Sequence, residues 1–319
     1  MRRAAAAALL SLAALPAASD VVLEMPIDCT LGDTCYIQQL MDHDPGPDAR
    51  DYLCGSLTYD GHKGTDFALP TLADMDRGVT VRAAAPGVVA GLRDGMPDRL
   101  YSPNEDASVD GRECGNGVVL RHGDGWETQY CHMRAGSITV RSGDRVVAGD
   151  PLGQVGLSGQ TQFPHLHLSV RKDGHPIDPF RPAGEDCAAP ASGLWAETPA
   201  VPPGGLIDAG FASSVPDFDA IKAGDAAIGR LSNTAPALVL FGFAYGSRAG
   251  DILRLEIDGP EGRFLAQDAK LDRPQAQLFR AAGRRLSQPS WPHGTYTGTV
   301  TLLRDGEALS EKSVTMEIR

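Results

Sequence analysis

Positive charge is in short supply in this chain, where 29 Lys and Arg stand against 41 Asp and Glu for a formal net charge of -12. Phosphate binding needs clustered cations, so nucleic acid is excluded as a partner, and adhesion to an anionic surface by charge alone is unfavourable. No segment after residue 19 is apolar and long enough to cross a membrane, so no integral membrane segment is expected. Also missing is any Cys-x-x-Cys pair, which weakens a thiolate metal site. No stretch of length carries the apolar spacing of an amphipathic helix, so the chain reads as mainly antiparallel β, in short Val-rich runs broken by glycine turns.

What is present begins with an export signal. Arg2 and Arg3 precede an apolar run over residues 4–18, too short to span a bilayer, and Ala17-Ala18-Ser19 makes a small-residue cleavage site before Asp20. Residues 1–19 are therefore expected to be a signal peptide, with no cysteine at the cleavage point to take a lipid anchor. Six cysteines fit an oxidising compartment, where an even set pairs into disulfides. Proximity favours Cys29 with Cys35 and Cys114 with Cys131, leaving Cys54 with Cys187.

The most informative run is Phe163-Pro164-His165-Leu166-His167-Leu168-Ser169-Val170. On an extended strand residues i and i+2 share a face, so His165 and His167 project one way while Leu166 and Leu168 turn to a core. Upstream lies Gly61-His62-Lys63-Gly64-Thr65-Asp66. A His and an acid four apart are more often a helical salt bridge, but Gly61 and Gly64 argue against a helix, and Thr65, Phe67 and Leu69 read as strand entry. Imidazole nitrogen and carboxylate oxygen are ordinary zinc ligands, and three protein ligands leave a fourth position open for water. Between these halves, residues 117–122 and 126–132 flank Asp124-Gly125 and read as a hairpin whose second strand ends on His132. His122 reads as structural, and His43, His175 and His293 sit in loop-like surroundings.

Together these motifs resemble the lysostaphin-type, or LytM-type, zinc endopeptidases that cut the peptide part of the bacterial cell wall. The resemblance spans roughly residues 57–182 and includes Ala83-Ala84-Ala85-Pro86-Gly87-Val88-Val89, the Ser142-Gly143-Asp144 turn and Ile177-Asp178-Pro179. It implies one Zn2+ held by His62, Asp66 and His167, with His132 and His165 as catalytic histidines beside an activated water. One departure stands out: members commonly carry Gly before Pro-His-Leu-His, and Phe163 occupies that place, which implies an altered substrate shape. The implied activity is hydrolysis of peptidoglycan cross-links, D-alanyl-diaminopimelate bonds being favoured, by an exported, periplasmic or alternatively secreted enzyme. A non-catalytic LytM-type regulator of amidases and a zinc protease of other substrates are the alternatives.

The organisation expected is a signal peptide at 1–19, a cysteine-bearing segment at 20–56, the zinc endopeptidase domain at 57–184, a Pro/Gly/Ala linker at 185–205 and a β-sandwich of immunoglobulin-like type at 206–319. Acidic or histidine side chains of residues 20–56 are expected to cover the zinc, and the 93–115 segment to wall a groove or else to be a plain surface insertion. The second domain carries strands at 237–243, 252–257, 263–265, 276–279, 296–303 and 312–318 and no constellation of its own. Trp291 and Tyr296 read as core aromatics before a carbohydrate platform. A cell-wall or protein partner through this domain stays open.

Overall fold

The computed structural model describes residues 20–102, 109–182 and 193–319. The signal peptide expected at 1–19, the middle of the 93–115 insertion, Cys187 and the first part of the expected linker lie outside the described residues.

In chain order the first half contributes β1 (Tyr36–Gln39), β2 (Thr65–Ala68), α1 (Leu72–Arg77), β3 (Thr80–Arg82), β4 (Gly87–Arg93), β5 (Asn116–Gly123), β6 (Trp126–Met133), β7 (Arg145–Val146), β8 (Pro151–Gln154), β9 (His165–Lys172) and β10 (His175–Ile177). One 8-stranded sheet runs β1-β2-β9-β6-β5-β4-β7 with β10 beside β9, while β3 and β8 pair separately. The second half contributes β11 (Gly205–Ala212), α2 (Phe218–Ala223), β12 (Arg230–Leu231), β13 (Ala237–Ser247), β14 (Ile252–Gly259), β15 (Gly262–Lys270), β16 (Gln275–Arg285), β17 (Gly294–Arg304) and β18 (Glu307–Ile318). These form a sheet β11-β13-β16 and a sheet β12-β18-β17-β14-β15. The chain is mainly antiparallel β, as its sequence pattern led us to expect.

Local chemistry explains the central strands. Asp124 and Gly125 have φ of 46° and 76°, the double positive φ of a type I′ turn, and join β5 to β6 as expected. Val118 and Leu120 of β5, Tyr130 of β6 and Leu166 and Leu168 of β9 are fully buried in the core, and the strand period sends the intervening side chains to the other face. His165 and His167 therefore share that other face, next to β2, whose Asp66 pairs directly with His167 and whose Ala68 pairs with His165.

In the second half, Leu238 and Leu240 of β13 meet Leu253, Leu255, Val300 and Leu302 of the facing sheet in one core. Trp291 and Tyr296 are buried in this core, with the Trp291 indole N–H donating to the Ala235 carbonyl, so neither offers a stacking platform. Strand β11 was not foreseen. Its first residue was assigned to the linker, yet Gly205 and Leu206 are buried and paired with β13.

Two expectations about the flanking segments need correction. The segment at 20–56 does not place its acids and histidine over the zinc motif. Asp42 instead accepts from the backbone N–H groups of Asp44, Arg50 and Gly61, and His43 Nε2 lies 2.6 Å from Asp178 Oδ2. The segment forms the edge strand β1, with a register shift between Ile37 and Gln39 that sets Gln39 opposite Asp66. The described end of the expected linker is not free either, since Leu194 and Trp195 are buried in the first core and Trp195 bridges Leu23. The two halves also touch: the Gln38 amide donates to the Ala276 carbonyl at 2.8 Å, and the Gln277 amide donates to Tyr36 Oη and Gln38 Oε1.

Candidate metal centre

Backbone geometry first brings the donors together. Gly61 has φ of 75°, where L side chains are strained, and a Cβ on Gly64 would lie 2.7 Å from the His167 ring and 2.6 Å from the Leu168 carbonyl. Those glycines let the 61–66 turn fold down onto β9. As a result His62 Nε2 stands 3.2 Å from Asp66 Oδ1 and 3.2 Å from His167 Nδ1, and His167 Nδ1 stands 2.7 Å from Asp66 Oδ1. These three residues form the one group of potential metal donors of this kind among the described residues. His165 Nε2 is 3.5 Å from the same carboxylate oxygen.

The outer hydrogen bonds decide which ring nitrogens are bare. His62 Nδ1 lies 2.6 Å from the Leu40 carbonyl, an acceptor only, so Nδ1 carries the proton and Nε2 faces Asp66 as a lone pair. The Ser169 hydroxyl donates to the Lys63 carbonyl and so accepts from His167 Nε2–H, which leaves Nδ1 bare. Two lone pairs and a carboxylate oxygen thus converge on one point. Acceptors so placed repel one another unless a cation sits among them. Two of their separations, at 3.2 Å, approach the edge of about 3.3 Å of a tetrahedron whose ligands lie ~2.0–2.1 Å from its centre, and the third is shorter at 2.7 Å; the donor set fits a zinc-type ion.

His132 completes the cluster from an unusual backbone position. Its φ is 60°, a left-handed value that is uncommon outside glycine and that turns the chain as β6 ends. Three bonds hold it there: its N–H donates to the Cys114 carbonyl, its carbonyl accepts from Gly156 N–H, and its Nδ1–H donates to the Ser158 carbonyl at 2.8 Å. That leaves Nε2 bare, with the ring 4.6 Å from the His165 ring between centroids. Strain that is clamped this firmly is typical of functional positions.

Electrostatics follow from burial. At Asp66 burial is outweighed by His62 and His165, and the carboxyl is held well below its usual range. At His62 burial is outweighed by the Asp66 carboxylate, which raises the pKa. At His167 burial prevails over Asp66 and lowers it, and at His132 burial joined by His165 and His167 lowers it far below the ordinary histidine value. His132 is therefore a neutral base at pH 7.

All five sequence-predicted positions, His62, Asp66, His132, His165 and His167, lie in one place. The surrounding pocket of about 290 Å³ is lined by Tyr59, Glu113, Cys114, Gln129, Cys131, His132, Gln160, His167 and Ser169. Glu113 and Cys114, at the end of the 93–115 segment, are part of this lining. Tyr59, whose ring lies tilted 4.6 Å from the His62 ring, was missed, as were Ser169 and the Leu40 and Ser158 carbonyls. His122, by contrast, is bonded to the Pro86 carbonyl and Thr128, a structural role as expected.

With this geometry in hand, comparison with known proteins is decisive over part of the chain, because residues 60–179 match Peptidase family M23. Over those residues the chain is similar to the M23 peptidases. Over 120 residues the chain is 33% identical to the DD-carboxypeptidase/endopeptidase Mpg of Neisseria meningitidis, covering 37% of this chain and 22% of that protein. It is 31% identical over 120 residues to the peptidoglycan DD-endopeptidase ShyA of Vibrio cholerae, covering 38% of this chain and 22% of that protein. The chain thus spans about a fifth of the length of these relatives. Among solved structures, the catalytic domain of the prophage-encoded M23 protein EnpA from Enterococcus faecalis matches at 26% identity and TM-score 0.32, covering 49% of this chain and 96% of that one.

Within the matched region a disulfide joins Cys114 to Cys131 next to His132, and ahead of that region another joins Cys29 to Cys35, both as expected. Cys54 is also disulfide-bonded, and its expected partner Cys187 lies outside the described residues. The Cys114–Cys131 bond spans 17 residues, so replacing both by serine should lower stability by about 3 kcal/mol. Urea unfolding of the metal-free protein measures this; an unchanged midpoint would show the tether to be dispensable.

Proposed function

We propose that this protein is an exported zinc endopeptidase that hydrolyses peptide bonds in peptidoglycan cross-links, with the D-alanyl-diaminopimelate bond as its substrate. The observation that carries this reading is the convergence of two bare imidazole nitrogens and the Asp66 carboxylate, with two further histidines beside them. His62, Asp66 and His167 hold the ion. When bound, zinc supplies a Lewis acid for the scissile carbonyl and lowers the pKa of water towards ~7.

The chain's own groups handle the protons. His132, neutral and with Nε2 free, takes a proton from the attacking water as the new C–O bond forms, and returns it to the departing amine as the C–N bond breaks. His165, its Nδ1 3.0 Å from the Phe163 carbonyl, turns Nε2 to the same space and orients the water. Walls formed by the disulfide, Tyr59 and Gln160 confine the peptide. Paired cysteines support an oxidising compartment, and the names of the relatives support the wall as substrate. A purely regulatory domain has no need of a complete donor set with ordered tautomers.

Mass spectrometry of purified sacculi after digestion by the mature, zinc-loaded protein tests the reading. Cross-linked dimers should fall to monomers with wild type and persist with His165→Ala. Sacculi left intact by a wild type with bound zinc would overturn the proposal.

A further inference from the structure

The segment from Gln160 to Pro164 separates two depressions. On one side Gln160 lines the metal pocket. On the other, Gln162, Phe163 and Pro164 face the second half of the molecule across a cleft of about 220 Å³, which opens into a neighbouring space of about 540 Å³. Phe163 belongs to both sides: its ring stacks 4.4 Å from the His165 ring and also walls the cleft. Phe163 thus sets this cleft directly behind the His165 ring.

The far wall is not part of the M23 match, which ends at residue 179. It is built by α2 and β16, through Phe218, Lys222 and Gln277. Leu69, Leu72, Leu100 and Phe163 give the cleft an apolar floor, and Gln162 and Gln277 bring amides to its edge. Among the described residues lining it, Lys222 is the one cation, in a protein with 12 more acidic than basic residues. Its ammonium lies over the Phe218 ring at 5.1 Å and 2.8 Å from Asp219. The Asp219 side chain is 88% exposed, so this pair is screened by water and leaves ammonium donors for a stronger partner.

We propose that this cleft is a binding subsite for the arm of the peptide substrate leading away from the scissile bond, with Lys222 taking a free carboxylate of that arm. The proposal rests on the peptidase reading above. Apolar walls suit the methyl groups of alanyl residues, the amides suit a peptide backbone, and a half-enclosed ammonium suits a carboxylate. Phe163 joins the subsite to the reactive centre, so the second half of the chain acts in substrate selection.

Steady-state kinetics of the full-length, zinc-loaded protein on a purified cross-linked muropeptide dimer test this. Lys222→Glu should raise KM about tenfold, and Lys222→Met, which keeps the packing on Phe218, somewhat less, with kcat within about twofold. Zinc content should not change. On a dimer with amidated carboxylates, Lys222→Met and wild type should have equal KM. Wild-type KM in both variants on the free-acid dimer would overturn the subsite. Should wild type not cleave the dimer, the peptidase reading fails, and the cleft is read by calorimetric titration of the His165→Ala protein with a disaccharide tetrapeptide. Weaker binding once Lys222→Glu is added supports the subsite; equal binding or none overturns it.

Discussion

His165→Ala and His132→Asn should each retain one zinc per chain while kcat falls by about 10²–10⁴, the usual worth of a positioned proton-transfer group. Neither side chain supplies one of the three converging donors, and each ring is held by its own backbone acceptor, Phe163 for His165 and Ser158 for His132. Removing them leaves the bonds from His62 to Leu40 and from His167 to Ser169 in place. Asparagine is the cleaner replacement at 132 because, with a φ of 60°, the position favours residues that tolerate the left-handed region. Metal analysis and turnover on cross-linked muropeptides, measured on the same preparations, separate the two effects. A His165→Ala protein that no longer binds zinc would move His165 into the ligand set and refute the division of roles.

Much of this centre is legible in the sequence because it depends on side chains spaced by strand geometry. The His-x-His run announces its shared face through Leu166 and Leu168, and Asp124-Gly125 announces the hairpin that delivers His132. The parts that were missed are of another kind. The carbonyls of Leu40 and Ser158 fix the tautomers of His62 and His132, and a carbonyl leaves no mark in a sequence. Strand β1 could not be read because its pairing with β2 includes an irregularity at Gln38, whose side chain is used against Ala276 in the second half of the chain.

The same reasoning accounts for the sandwich. Apolar alternation marks β14 and β17, which are buried on one face, but it stops short in β15 and the first half of β18, where most side chains meet water. Strand β15 runs Gly262–Lys270, yet the pattern predicts only 263–265, because an edge strand needs little hydrophobic burial to pair. Gly205 was read as linker because a proline and glycine run precedes it directly. The tight packing of Leu194 and Trp195 was hidden by the same composition.

Asp66→Asn should weaken zinc binding by at least ~10²-fold, more than the loss of an outer hydrogen-bond partner brings. Asp66 is the sole anion of the cluster, with three histidine nitrogens within 3.5 Å of Oδ1. Its charge is what a divalent cation would neutralise, and the amide cannot replace it. The effect on stability should depend on metal. Without zinc, His62 and His165 outweigh the cost of burying the Asp66 carboxylate, so the neutral variant should unfold below the wild-type temperature even in chelator. With zinc at about 1,000 times its dissociation constant, wild type should gain ~4 kcal/mol and the variant much less. Thermal melts in zinc and in chelator measure both arms. An equal zinc-dependent shift in the two proteins would show that the ion is held elsewhere, whereas a shift confined to wild type would tie Asp66 to metal binding through a readout independent of any substrate.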